Sequence, residues 1–174
     1  LSPTSLAPVR VGSRLWSGEV RVNLEGAGSQ FPTSKINFAE NGFHPTDALW
    51  RIKIAGDLDS HFSSAVRLYL NTGAPRTAKF LENPSARNQE EFSRFLEADV
   101  VTQLLTFAFR TELDELVKFA EDEDTLAEAL MEIYSTYFPT MSFTDAQGMF
   151  QSDPSFVSAT VLGKTFNAWT QSKG

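Results

Sequence analysis

The period at which apolar residues recur changes part-way along this chain, and that change limits what it can fold into. Up to about residue 73 apolar side chains alternate with polar ones, and from Gln89 they recur at every third or fourth position. Period two sends neighbouring side chains to opposite faces of a strand, whereas period 3.6 gathers them along one side of a helix. Strands first and helices afterwards is the order of an α+β domain, not of a doubly wound α/β fold.

In the first half, Glu19-Val20-Arg21-Val22-Asn23-Leu24-Glu25 is the clearest strand, with Gly18 suggesting a turn from an earlier one through Arg14 to Trp16. Lys35 to Phe38 forms a shorter strand, followed by the turn dipeptide Asn41-Gly42. Leu49 to Ala55 sets Trp50, Ile52 and Ile54 against Arg51 and Lys53. Ala65 to Asn71 repeats the device, with Val66, Leu68 and Leu70 inward and Arg67 and Tyr69 outward. One-sided alternation of this kind belongs to antiparallel sheets with one solvated face. Asn71-Thr72-Gly73-Ala74-Pro75 breaks the pattern, and residues 74–88 read as a linker with room for a helical turn at Thr77 to Glu82.

The second half opens with a broad stripe, Phe92, Phe95, Leu96, Val100, Leu104, Phe107 and Ala108, in a helix from Gln89 to about Arg110. A stripe this wide marks a helix covered on more than one side. A further segment covers Glu112 to Ala120, and Thr125 with Glu128 forms a capping box for a helix closed by Pro139. Asp153-Pro154 starts a last helix to about Trp169, with Ala159, Leu162, Phe166 and Trp169 inward. The expected fold is therefore α+β: an antiparallel sheet of about four strands packed against a C-terminal bundle of four or five helices. The 174 residues form one domain, β-rich over 10–73 and helical over 89–170, with two subdomains meeting near residues 74–88 as the alternative. The start, Leu1-Ser2-Pro3, lacks both an initiator Met and a signal sequence, which reads as a processed or excised chain.

Chemistry is thinly represented. The chain has no Cys and two His, which removes disulfides, thiolate metal sites and cysteine nucleophiles. It contains no G-x-S-x-G, Walker A, G-x-G-x-x-G or H-E-x-x-H motif, and no apolar run long enough to span a membrane. Asp57, Asp59 and His61 would project to one side if the Trp50 strand ran on, a donor set for Mg, Mn or Zn. Gly56-Asp57 opening a loop, with the carboxylates in turns, is the preferred reading of that cluster. His44, in Phe43-His44-Pro45-Thr46-Asp47, would need a nucleophile and an orienting group to act as a base, and Thr46 or Asp47 as a turn residue is the preferred reading. The fifteen Phe are assigned to a ring-rich core.

Charge divides as the periods do. Up to Phe80 nine Lys/Arg face six Asp/Glu, and from Leu81 six face sixteen, for a net charge of −7 overall. Arg21, Arg51, Lys53, Arg67 and Tyr69 fall on outward strand positions, the pattern by which sheets hold single-stranded nucleic acid. Glu121, Asp122, Glu123 and Asp124 form an acidic connector, either a solvated surface or a dock for a basic partner. The leading expectation is a non-catalytic interaction or assembly module of a larger complex or longer chain, with a protein partner, no cofactor and no membrane insertion. A single-stranded nucleic-acid-binding module is the second reading, and a metal-dependent enzyme at Asp57, Asp59 and His61 the third.

Overall fold

The computed structural model describes residues 31–171, with side chains through residue 167. The expected strands at Arg14 to Trp16 and Glu19 to Glu25, and with them Arg21, lie outside the described residues. Within them, β1 (Thr33–Ile36), β2 (Trp50–Ile54) and β3 (Val66–Asn71) form one sheet, and α1 (Phe62–Ala65) leads directly into β3. Six further helices follow: α2 (Pro75–Glu82), α3 (Glu90–Ala108), α4 (Leu113–Phe119), α5 (Leu126–Tyr137), α6 (Phe143–Ser152) and α7 (Ser155–Gln171). The α+β class holds, but the sheet is three-stranded and mixed among the described residues. Its order is β1-β3-β2, with β2 antiparallel and β1 parallel to β3. Alternation reports which face a side chain takes and carries no information about strand direction. The most apolar strand occupies the centre: Val66, Leu68 and Leu70 are fully buried while Arg67 is exposed. A strand paired on both edges leaves no main-chain ladder group open.

Helix α2 is longer than the helical turn expected in the linker, and α6 stands where no helix was expected. The linker holds α2, with Pro75 in its first turn, where the missing N–H has no intrahelical role. Its buried Thr77 donates to the Leu49 carbonyl (3.0 Å) and so ties α2 to the start of β2. Residues 143–152 form α6, capped by Ser142 Oγ, which accepts from the Asp145 N–H (3.1 Å). Gln147 on α6 donates to the Phe109 and Thr111 carbonyls (3.0 and 3.2 Å), satisfying acceptors that α3 leaves open at its C-terminus.

The long stripe of α3 is buried at Phe92, Leu96, Val100, Leu104 and Ala108, as a central helix requires. Phe109 follows it into a cluster of rings from α5 and α6, at centroid distances of 6.2 Å to Tyr134, 5.7 Å to Phe138, 5.2 Å to Phe143 and 5.9 Å to Phe150. The Tyr134 hydroxyl donates to the Met141 carbonyl, and burial, with the Asp145 carboxylate second, raises its pKa above the ordinary tyrosine value. The face assigned to α7 needs correction. Its buried line is Val157, Val161 and Thr165, while Ala159 and Leu162 are exposed and Phe166 is half-buried; the Trp169 side chain lies outside the described ones. The helical spacing pointed to the row through Leu162, whereas the row that packs inward is the i, i+4 line of Val157, Val161 and Thr165.

The Thr125 cap forms as its sequence indicates. Its hydroxyl accepts from the Glu128 N–H (3.1 Å), and Glu128 reaches back to the N–H of Asp124 (2.6 Å), one residue before the cap. Asp124 itself takes the left-handed conformation (φ 61°), which Asp tolerates better than most side chains. The loop between β2 and α1 completes the helix start, since the Leu58 and Ser60 carbonyls accept from Ala127 and Leu126 (3.0 and 2.9 Å). Thr125→Ala is expected to lower stability by about 1–2 kcal/mol, and Thr125→Ser to retain most of it, in a urea melt. Equal stability of all three proteins would mean that the loop carbonyls alone hold the start of α5.

Candidate functional site

An open groove of about 570 Å³ runs between β2, α2, α3 and α7. Its geometry follows from helix order. Glu91, Phe92, Phe95, Ala98, Asp99 and Thr102 all lie on α3 at spacings of one, three and four, so one face of that helix forms the length of the groove. Leu49 and Trp50 close one side from β2, Ser158 and Leu162 the other from α7, and Arg76 stands at the α2 end.

Phe92 and Ala98 are buried in its floor, whereas Phe95 and Leu162 remain 46% and 39% exposed. The Phe95 ring is tilted against Phe166 at 4.9 Å, which makes a continuous apolar wall from α3 to α7. Phe95, expected in the core, is therefore a wall residue. Trp50 meets Phe92 edge to face at 5.3 Å, and its indole N–H donates to Asp99 Oδ2 (2.7 Å). Asp99 also accepts from Gln103 Nε2 (2.7 Å), so the carboxylate is held in place along the groove. Arg76 lies over the Phe92 ring at 5.1 Å and donates to Gln89 Oε1 (3.1 Å). Apolar walls with a few fixed polar groups at the margin are the anatomy of a binding groove. No group here is placed as a nucleophile with an adjacent base.

The anticipated sites fall elsewhere. Glu121, Asp122, Glu123 and Asp124 are exposed in the turn between α4 and α5 and line no part of the groove. Asp57, Asp59 and His61 are exposed around a tight turn in which Ser60 N–H donates to the Asp57 carbonyl (3.0 Å). Among the described residues no three His, Cys, Asp or Glu side chains converge as a metal site would require. His44 is exposed beside Pro45. Arg51, Lys53, Arg67 and Tyr69, in contrast, are brought together. The register sets Arg51 opposite Tyr69 and Lys53 opposite Arg67 on one face of the sheet.

Phe43 joins that face, 5.0 Å from Tyr69 and beneath the Arg51 guanidinium at 5.8 Å. Sequence reasoning assigned Phe43 with the other Phe to the core, and it also missed the groove. The one signal for the groove was the unusual width of the α3 stripe, read as a helix covered on more than one side. No helix among the described residues is long and apolar enough to cross a membrane. Comparison with protein-family models, characterised proteins and solved structures yields no match, so geometry alone carries the functional reading.

Proposed function

We propose that this chain is a non-catalytic interaction module that docks a protein partner in the groove between α3 and α7. The observation that carries the reading is the exposure of Phe95 and Leu162 beside Phe166, a wall of large apolar side chains facing solvent. Clustered exposed apolar side chains with a polar margin mark interaction surfaces. The occupant that fits is an amphipathic helix: anchors at i, i+3 or i+4 and i+7 would follow the spacing of the α3 residues that form the groove. Its flanks would be Lys or Arg. Glu91 and Asp99 line the groove, and the chain beyond Phe80 carries six cations against sixteen carboxylates. Glu121 to Asp124 then serve to steer a basic partner toward the module and raise the rate of association, without entering the contact.

The test is a selection of displayed helical peptides on the full chain and on its Leu162→Glu variant. Peptides enriched on the native chain should share apolar anchors with Lys/Arg flanks, and should bind the variant at least tenfold more weakly, a loss of about 1.4 kcal/mol. Enrichment of acidic or wholly polar sequences would defeat the reading. So would recovery of a stoichiometric lipid from the purified protein by mass spectrometry, because the groove would then be a small-molecule site.

A further inference from the structure

We propose that the outer face of the sheet is a second binding surface, for the phosphate backbone of single-stranded nucleic acid. This surface is independent of the groove. Arg51, Lys53 and Arg67 are all exposed on it, and none makes an ion pair with a described carboxylate. The register makes Lys53 and Arg67 direct cross-strand partners. Like charges directly opposite on an antiparallel pair destabilise it, so the arrangement carries an internal penalty that an anion between them would relieve. Arg51 and Lys53 are two residues apart on β2, which sets their attachment points about 6.6 Å apart along the strand. A row of cations at that repeat suits an extended chain of regularly spaced phosphates better than one compact anion.

The aromatic component lies at one end of the row. Tyr69 is opposite Arg51, Phe43 packs against Tyr69, and both rings are half-buried. Arg51 is held over Phe43, which limits the freedom it would lose on binding.

The test is fluorescence anisotropy of a labelled oligo(dT) of about 15 nucleotides, a length within the range one sheet surface covers, against the full chain at graded salt. Three phosphate contacts predict a slope of log affinity on log salt of about −2, falling to about −0.7 in the Arg51→Ala/Lys53→Ala double variant. Phe43→Leu should weaken binding about tenfold if a base rests on that ring. Lys53→Glu gives a readout that misfolding cannot imitate: it should abolish binding while raising the thermal midpoint, by turning a repulsive pair with Arg67 into an attractive one. Absence of saturable binding at the lowest salt, or affinity unchanged in the double variant, overturns the proposal. Displacement by charge-matched polyglutamate as effective as by unlabelled oligo(dT) also overturns it, because the face would then take acidic polypeptide.

Discussion

Phe109→Ala is expected to destabilise the domain by about 3–5 kcal/mol, measured as a fall in the urea midpoint at unchanged m-value. Phe109 is 1% exposed and lies where α3, α5 and α6 converge, with four rings around it. Removing it leaves a cavity that those rings cannot fill without leaving their rotamers, and it deletes edge-to-face contacts worth something beyond area alone. The main-chain carbonyl bound by Gln147 survives the change, so the loss isolates the ring from the hydrogen bonds. Phe109→Leu keeps most of the volume and should cost less than about 1.5 kcal/mol. If alanine and leucine were equally mild, the ring cluster would not be the joint between these helices.

The second large effect is expected at a polar residue. Asn71 is fully buried at the end of β3 and uses both ends of its amide. Its Nδ2 donates to the Thr46 and Ala48 carbonyls (3.0 and 2.7 Å), while Oδ1 accepts from the Phe38 and Gly73 N–H groups (3.1 and 2.9 Å). One side chain thereby holds the segment between β1 and β2 against the sheet. Asn71→Ala strands buried donors and acceptors at about 1–3 kcal/mol each, and a total loss of about 3 kcal/mol or more is expected once partial relaxation is allowed. Asn71→Asp retains the acceptor but turns a second oxygen toward two carbonyls. Repulsion and burial would raise its pKa in the folded state. The ionised form is then the destabilising one, so that variant should gain stability as pH falls through its folded-state value. A pH-independent stability for Asn71→Asp would show that the two carbonyls do not face the side chain.

These residues also show where sequence reading reaches and where it stops. The faces of β2 and β3 were legible because alternation in Trp50 to Ile54 and Val66 to Asn71 is a local property of the backbone. The caps at Thr125 and Asp153 were legible for the same reason: Thr125 serves the N–H of Glu128, and Asp153 that of Ser155 (3.0 Å). The hydrogen bonds from Ser155 also hold the Asp153 carboxyl below the usual carboxylate range. Helix α6 carried a comparable signal, Ser142 with Asp145, which the sequence reading did not use. Pro75 reads in sequence as part of the break after β3, and in the structure it opens α2.

The width of the α3 stripe was the groove's one local signal, and it does not distinguish a covered face from an open one. Phe92 and Phe95 stand three residues apart on one helix, yet one is buried and the other nearly half exposed. That difference depends on where α7 crosses α3, and on the crossing being set by Val157 and Val161 instead of Leu162. Parallel pairing of β1 with β3 is likewise a matter of chain path. Asn71 reads in sequence as a turn former, and only the folded structure reveals it as the fastening of the loop.

The groove is tested most directly by NMR titration of the isotope-labelled full chain with a designed helical peptide. The peptide carries Leu at i, i+3 and i+7 and Lys at both ends, matching the anchors and flanks expected of a partner. The Trp50 indole N–H, which donates to Asp99 along the groove, is the reporter, assigned by its loss in Trp50→Phe. Docking predicts a saturable shift of that resonance together with those of Phe95 and Leu162, abolished by Leu162→Glu and weakened when the terminal Lys are replaced by Glu. A Trp50 resonance that stays unmoved at saturation, or that moves equally in the Leu162→Glu protein, would contradict the assignment of this groove as the docking surface.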